Sequence, residues 1–271
     1  MLDRLPKISP TRLLSRLGTA TEIPDDEVLQ GFKRCQDLAF DAAKEIATIL
    51  DEGWTEAETA RLMNEYLRDH GVKSFFHKSF VWFGDRTRFR GVKNYTDYLP
   101  TKRVLQPGEP FILDVAPILH GYMCDIGYSD CLTEHHELAE AKQFLKKLRL
   151  EIPKIFTSGL AGDAVWEKID QEIIAAGYEN IHVKYPFGVL GHRVHRMPSE
   201  NLSASMINFG WQSYWALLSR GLFNQLLNKD YSGSLSGLWA IEPHIGTPDF
   251  GAKFEEILVV DGDNAYWLAE T

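Results

Sequence analysis

FILDVAPILHGYMCDIGYSD, residues 111–130, carries two strand-like runs joined at the Gly121 turn, with Asp114 on the first and Asp125 eleven residues later on the second. Side chains alternate faces along a strand, so a hairpin of this kind can aim both carboxylates at one point. LWAIEPHIGTPDFGAKFEEILVV, residues 238–260, repeats the arrangement with Glu242 and Glu255, thirteen residues apart. Between the two stretches stands His192. Two carboxylate hairpins and one imidazole make a candidate site for two divalent cations. Such a site generates hydroxide near neutral pH and clamps both ends of a hydrolytic displacement.

Working outward, Pro24-Asp25-Asp26 opens a helical pattern through Leu50, and Thr55 with Glu58 forms the capping box of a second helix ending at Gly71. Two β-like runs, residues 74–84 and 110–118, lead to the Asp125 strand. The pattern then repeats: a helix over about 134–156, another from Asp163 to Gly177, strands around 181–190 and 192–198, then the Glu242 and Glu255 strands. Helix–helix–strands thus occurs twice, each half ending on two carboxylates. The expected fold class is α+β, two similar halves closing on one site. No Pro/Gly/Ser-rich linker divides them, so residues 23–271 read as a single catalytic domain after an N-terminal extension, 1–22. Residues 199–236 interrupt the repeat as an insertion, made apolar by Trp211, Tyr214, Trp215, Leu217, Leu218, Leu222 and Phe223. Two readings stay open for it: an extra packed helix or homodimer contact, and a lid at the mouth of the site.

The 271 residues suffice for one sizeable core or two small ones. A net charge of −9 and the lack of a Lys/Arg block argue against nucleic acid. The four site carboxylates hold part of that charge, and two divalent ions would cancel it. No apolar run is long enough to span a membrane, and the basic N-terminus lacks the apolar centre of a secretory signal. It reads as a plain extension, with a docking arm or transit peptide as the alternative. Cys35, Cys124 and Cys131 are too few and too scattered for a disulfide framework, and Cys124 is expected to face away from Asp125. The balance points to the cytoplasm.

From about residue 25 to the C-terminus the chain resembles the pita-bread metallopeptidases, the family of methionine aminopeptidases, Xaa-Pro aminopeptidases, prolidases and creatinase. The resemblance rests on LDVA (Asp114), GYMCD (Asp125), GH (His192), IEP (Glu242) and KFE (Glu255), in the family's order and approximate spacing. It implies a pita-bread fold around a dinuclear centre of Mn, Fe, Co or Zn, metals suited to carboxylates with one imidazole. Asp125 and Glu255 would bridge the ions, Asp114 would bind one, and His192 with Glu242 the other. Glu256 competes with Glu255, which is preferred because it follows the aromatic residue and precedes ILVV. Without cations, four inward carboxylates would repel and raise each other's pKa.

Departures cluster around the substrate and spare the metal ligands. Peptidase members usually carry a substrate His three residues before a Pro, where this chain has Asp97 ahead of Pro100, seventeen residues before Asp114. Asp97 could hold a cationic group or act as a base, or simply be a loop residue in another register. His195 offers a second substrate histidine, or the ligand itself if the loop is shortened, although Arg196 replaces the usual Glu. At i and i+3 on a strand, His192 and His195 would face opposite ways. His244 either points into the pocket or packs, and Gly127-Tyr128 stands where members often have Thr or Arg. His70, His77, His135, His136 and His182 read as surface or helix-end residues. Arg86, Arg88 and Arg90 form a basic cluster for a substrate anion, or a solvated loop.

The leading expectation is a hydrolase that cleaves a C–N bond of a peptide-like or small amide substrate through a metal-bridging hydroxide. Glu242 would pass the proton to the leaving nitrogen, with His195 and Asp97 as further catalytic candidates. The alternatives are a non-peptidase member acting on a small metabolite, as in creatinase or the dimethylsulfoniopropionate lyases, and an inactive binding module. The expected partner is a small molecule or short peptide, with neither nucleic acid nor membrane.

Overall fold

Asp25 accepts a hydrogen bond from Val28 N (3.0 Å) and starts α1 (Asp26–Ile49), and the predicted capping box starts α2 (Glu56–Asp69), with Glu58 N donating to Thr55 Oγ1 and Thr55 N to Glu58 Oε2. A cap of this kind contributes about 1 kcal/mol. The computed structural model describes residues 23–197, 205–206, 208–210 and 225–269. The N-terminal extension and the apolar residues Trp211–Phe223 of the insertion lie outside the described residues.

The first half continues with β1 (Ser74–Phe83), β2 (Pro110–Leu119), β3 (Tyr122–Met123) and β4 (Ile126–Cys131), all antiparallel. The second opens with α3 (His136–Phe156) and α4 (Gly162–Ala175). Its strands are β5 (Glu179–Asn180), β6 (Gly191–Arg193), β7 (Ser205–Met206), β8 (Phe209–Gly210), β9 (Leu226–Leu227), β10 (Gly237–Ile241), β11 (His244–Gly246), β12 (Gly251–Lys253), β13 (Glu256–Asp261) and β14 (Asn264–Trp267). One sheet runs β3-β2-β1-β8-β7 with β4 also on β2, a second runs β14-β13-β10-β6-β9, and a third β12-β11-β5. The expected repeat of helix, helix and strands is present, with helix ends within two residues of the sequence reading, but residues 181–190, read as a strand, form two 3-10 turns (His182–Lys184 and Pro186–Gly188), because Pro186 lacks an N–H to pair and Phe187 takes a left-handed conformation.

Strand periodicity explains how the halves meet. Along β10 and β13, Leu238, Ala240, Ile257 and Val259 join the core beneath α1 and α2. The alternate residues Trp239, Ile241, Leu258 and Val260 join the core beneath α3 and α4. A sheet buried on both faces needs apolar residues at every position, which is why LWAI and ILVV read as unbroken runs. Gln36 of α1 reaches the same sheet, accepting from Ile257 N at 2.7 Å.

Glu56, at the start of α2, is fully buried and organises the chain between β1 and β2. Its carboxylate accepts from Phe83 N (3.1 Å), Arg86 Nε (2.8 Å), Thr101 N (3.0 Å) and Thr101 Oγ1 (2.6 Å). Arg86, read from sequence as an anion binder or solvated, is therefore structural. Arg88 is tied to Glu179 and the Pro248 carbonyl, and Arg90 donates to the same carbonyl at 2.7 Å.

His182 is fully buried beside Trp166, contrary to its reading as a surface or helix-end residue. Its Nε2 accepts from Asn180 Nδ2 at 2.9 Å, and its Nδ1 has no hydrogen-bond partner among the described residues. Burial disfavours the charged ring and pulls its pKa down to about 3. The unfolded chain takes up a proton below about pH 6.5 that the folded one refuses, so stability falls as pH drops through the window from about 6.5 to about 3. Between pH 7 and pH 5 this residue should cost about 2 kcal/mol. Urea unfolding at both values is expected to show that loss in the wild type and not in His182→Leu. Equal losses in the two proteins would contradict it.

Candidate metal centre

Each hairpin delivers its two carboxylates by simple strand geometry. Asp114 lies within β2, opposite Gly127 of β4, and Asp125 immediately precedes β4. Glu242 follows β10, Glu255 precedes β13, and an isolated bridge between Gly127 and Glu255 draws the two hairpins together. His192 projects from β6, paired with Ala240. The Gly in the Gly-His pair is needed because a Cβ on Gly191 would lie 2.4 Å from the Ala240 carbonyl oxygen. All four carboxylates are buried.

A second imidazole, missed in the sequence, completes the cluster. His77 lies on β1 where the register with β2 shifts on both sides of it. Such irregularities re-aim a side chain, and His77 is buried in the site instead of being a surface residue. Its Nε2 lies 3.0 Å from Asp125 Oδ2 and 3.7 Å from Asp114 Oδ1. His192 Nε2 approaches the same Asp125 Oδ2 at 3.1 Å and Glu255 Oε1 at 3.7 Å. The Nδ1 of each ring faces a backbone carbonyl, Lys78 O at 3.1 Å and Arg193 O at 3.2 Å. A ring that donates Nδ1–H to a carbonyl presents Nε2 to a metal in a fixed orientation. Phe76 stacks on His192 and Phe80 packs against His77. A neutral Nε2 lone pair aimed at a carboxylate oxygen meets an acceptor with an acceptor, so protons or a metal cation must stand between them.

Charge in this cluster is far from its solution state. Burial opposes protonation of His77, but Asp125 and Asp114 outweigh it and its pKa is pushed up to about 9. His192 is raised for the same reason, burial being overcome by Asp125. Burial also pushes Asp125 upward, yet the two histidines hold it far below the usual carboxylate range. Asp114 and Glu242 are raised by burial, with Lys253 opposing, and Glu255 is raised further by the charges of Asp125 and Glu242. Two buried oxygens, Asp125 Oδ1 and Glu255 Oε1, have no hydrogen-bond partner among the described residues. Buried orphans of this kind are costly, and both belong to the group Asp125, His192 and Glu255, whose donor atoms lie within 4.8 Å of one another. His77, Asp114 and Asp125 make a second such group. By donor chemistry and unsatisfied oxygens, the cluster fits a divalent cation.

Lys253 also enters the cluster, a cation among the residues read from the sequence as metal ligands. Its Nζ donates to Asp114 Oδ2 (2.6 Å), Glu255 Oε2 (2.9 Å), Glu242 Oε2 (3.0 Å) and Tyr185 OH (3.2 Å).

Glu255 and Glu256 separate cleanly. Glu256 faces away and takes a bidentate bond from Arg149 (Nε 2.8 Å, Nη2 2.6 Å), which also donates to Ala269 O. Glu256→Gln should accordingly leave metal affinity at the wild-type level in a calorimetric titration, whereas Glu255→Gln should lower it. Equal losses would show the two roles to be shared.

His195 lies past the end of β6, so it escapes strand alternation and lines the cavity with His192 while bonding Gln225. Asp97, in contrast, is not among the lining residues. It caps a short 3-10 turn (Tyr95–Tyr98), accepting from Lys93 N and Asn94 N at 2.8 Å each, and these bonds lower its pKa. The substrate-side role expected for Asp97 does not survive this geometry, because both bonds hold its carboxylate on its own turn. Its neighbours Tyr95 and Tyr98 do line the cavity. His244 packs fully buried, with Nε2 2.7 Å from Thr87 O and Nδ1 3.1 Å from Tyr185 OH, so it supports Tyr185 instead of facing substrate. His70, His135 and His136 stand at helix ends as read. Cys124 is buried in the first core, away from the cluster.

Above the charged floor, a cavity of about 220 Å³ is walled by Phe76, Phe80, Trp82, Tyr95, Phe187 and Phe209.

Two α+β halves closing on a shared carboxylate–imidazole cluster define the pita-bread architecture. Residues 30–262 match metallopeptidase family M24, and the chain belongs to that family. Solved structures agree at the level of fold. The X-Pro aminopeptidase of Thermotoga maritima MSB8 aligns at 17% identity over 96% of this chain and 64% of its own, with a TM-score of 0.64. The prolidase of Pyrococcus furiosus aligns at 16% identity over 92% and 65%, with a TM-score of 0.66. The methionine aminopeptidase of Rickettsia prowazekii aligns at 13% identity over 91% and 98%, with a TM-score of 0.60. The chain thus spans just under two thirds of the first two proteins. No curated protein sequence matches it. Among the described residues, no helix is long and apolar enough to cross a membrane.

Proposed function

We propose that this protein is a metal-dependent hydrolase that cleaves a C–N bond in a small peptide-like or amide substrate with an apolar or aromatic side chain. One observation carries the reading: four buried carboxylates and two oriented imidazoles form the floor of an aromatic cavity. A divalent ion bound there would supply water activated near neutral pH and would polarise a carbonyl oxygen. Asp125, His192 and Glu255 are the residues to hold it. His77, fixed by the Lys78 carbonyl, orients Asp125. Glu242, at the cavity wall, is placed to carry a proton to the leaving nitrogen. His195 offers its ring to a polar group of the substrate, and the aromatic walls exclude bulk water and hold the apolar side chain. Cavities of this composition, largely apolar with a few convergent polar groups, are typical ligand sites. We place the enzyme in the cytoplasm, in keeping with its three free cysteines.

A second reading, a non-peptidase enzyme for a small metabolite, is favoured by one feature. Arg193, the arginine of the cavity wall, is committed to the Ser234 and Ser236 carbonyls and to the Trp239 ring. It is therefore not free to bind a substrate carboxylate.

The test is mass-spectrometric cleavage of a library of dipeptides and N-acyl amino acids by protein loaded with Mn, Fe, Co or Zn, with Asp125→Asn as control. Cleavage dependent on Asp125, strongest for aromatic or aliphatic substrates, is expected. No cleavage by metal-loaded protein would favour the metabolite reading instead.

A further inference from the structure

The Lys253 ammonium is wholly buried, and its three N–H groups face three carboxylates drawn from both hairpins. By the resemblance, these carboxylates would be divided between two ions, Asp114 serving one, Glu242 the other, and Glu255 both. An ion coordinates carboxylate oxygen at about 2.0–2.2 Å, so the same oxygens cannot hold an ion and this ammonium at one point.

The position of Lys253 is built, not incidental. Its backbone is pinned to β4 by Ser129, whose Oγ donates to Lys253 O and accepts from Lys253 N, both at 2.8 Å. Its stem runs across Gly127, where a Cβ would lie 2.5 Å from Lys253 Cε, 3.1 Å from Cδ and 3.2 Å from Cγ. No side chain fits at residue 127 while the lysine is in place. On the far side the Tyr185 hydroxyl meets Nζ, held by His244, whose other nitrogen is fixed by the Thr87 carbonyl.

What remains for a metal is one set. Lys253 takes one oxygen of Asp114 and one of Glu255, but Asp125–His192–Glu255 holds both orphaned oxygens, Asp125 Oδ1 and Glu255 Oε1, whereas His77–Asp114–Asp125 holds only the shared Asp125 Oδ1. With both imidazoles neutral, Lys253 and one divalent ion leave the four carboxylates a single negative charge. With Lys253 and two ions the cluster would turn net positive around a buried ammonium, which is costly. Resting on the metallohydrolase reading above, we infer that the centre takes one divalent ion through Asp125, His192 and Glu255, and that the Lys253 ammonium stands in the place of the second. Its N–H groups are committed to carboxylates, so Lys253 acts as a fixed charge that positions Asp114 and Glu242, and not as an acid or nucleophile.

The experiment is a titration of metal-free protein with Co(II), following visible absorption to its endpoint, with bound ions per chain counted by native mass spectrometry. The wild type is expected to stop at one ion. Lys253→Met, which removes the charge, and Gly127→Thr, which expels the stem from its groove, should each take up two. Circular dichroism melting verifies that each variant is folded, and either one alone suffices. Two ions in the wild type would overturn the inference while leaving the hydrolase reading intact, as would one ion in a folded variant of either kind. No ion bound by the wild type at all would instead defeat the metal reading on which it stands.

Discussion

Asp125→Asn loses its divalent ion: calorimetric titration with Mn or Co should show affinity reduced by more than the roughly 10–100-fold that loss of an outer hydrogen-bond partner costs. The reason is the convergence on this one residue. Both imidazoles point their Nε2 at Asp125 Oδ2, and its other oxygen is one of the two left unpartnered. Both candidate groups of donors contain it. An amide presents one oxygen without charge, and its NH₂ group would face either a ring nitrogen or the ion. The far-ultraviolet circular dichroism spectrum should be unchanged, because Asp125 contributes to the site and not to either apolar core. Affinity within threefold of wild type would sink the ligand assignment.

Glu56→Ala should cost about 3–5 kcal/mol of stability, the range for breaking a buried ion pair. The carboxylate gathers two backbone N–H groups, a hydroxyl and the Arg86 guanidinium with no access to water. Alanine would leave Arg86 and the amides of Phe83 and Thr101 without their acceptor. For a chain of this size that corresponds to a fall in melting temperature on the order of 10 °C. Glu56→Gln, which keeps the shape and one acceptor, should lose less. Because Arg86 also donates to Leu99 O, the segment carrying Tyr95 and Tyr98 should loosen, and hydrogen exchange across residues 84–103 should rise with the loss of stability. A melting temperature within 2 °C of wild type would show that the hub is replaceable.

The sequence made the two carboxylate hairpins readable because strand periodicity and the position of the turn together determine where such residues point. The same period-2 rule explains the apolar runs of β10 and β13, buried on both faces. His77 was not readable in this way. Its face on β1 is set by irregular register with β2, and nothing adjacent to it in SFFHKSF marks a ligand. Lys253 is a different case, since it lies two residues before Glu255 and alternation already puts both on one side. The pattern that marks this stretch is carried by its acids, so nothing in the sequence singles out the ammonium between them. Asp97 is the opposite case: spacing along a loop leaves open both a substrate-side residue and a turn residue in another register, because loops have no register to fix direction. Glu255 and Glu256 could be ranked from their neighbours, but only Arg149, more than a hundred residues away, explains where the second carboxylate goes.

The contact between Lys253 and Asp114 closes a loop of 139 residues, and His77 meets Asp125 across 48. Closing such loops costs chain entropy before the contact gives anything back. A chain synthesised as far as residue 190 already contains both first-half carboxylates and His77, yet has neither the second histidine nor the lysine that answers them. Its two acids must wait in a hydrated, loosely packed state, because burying them together without their counter-charges is unfavourable. Sealing the centre therefore belongs to the end of folding, and a charged interior of this kind acts as a late checkpoint: the last strands bring His192 and Lys253 but also two more acids, so the first core can settle against the second only when a bound cation helps Lys253 offset the four carboxylates.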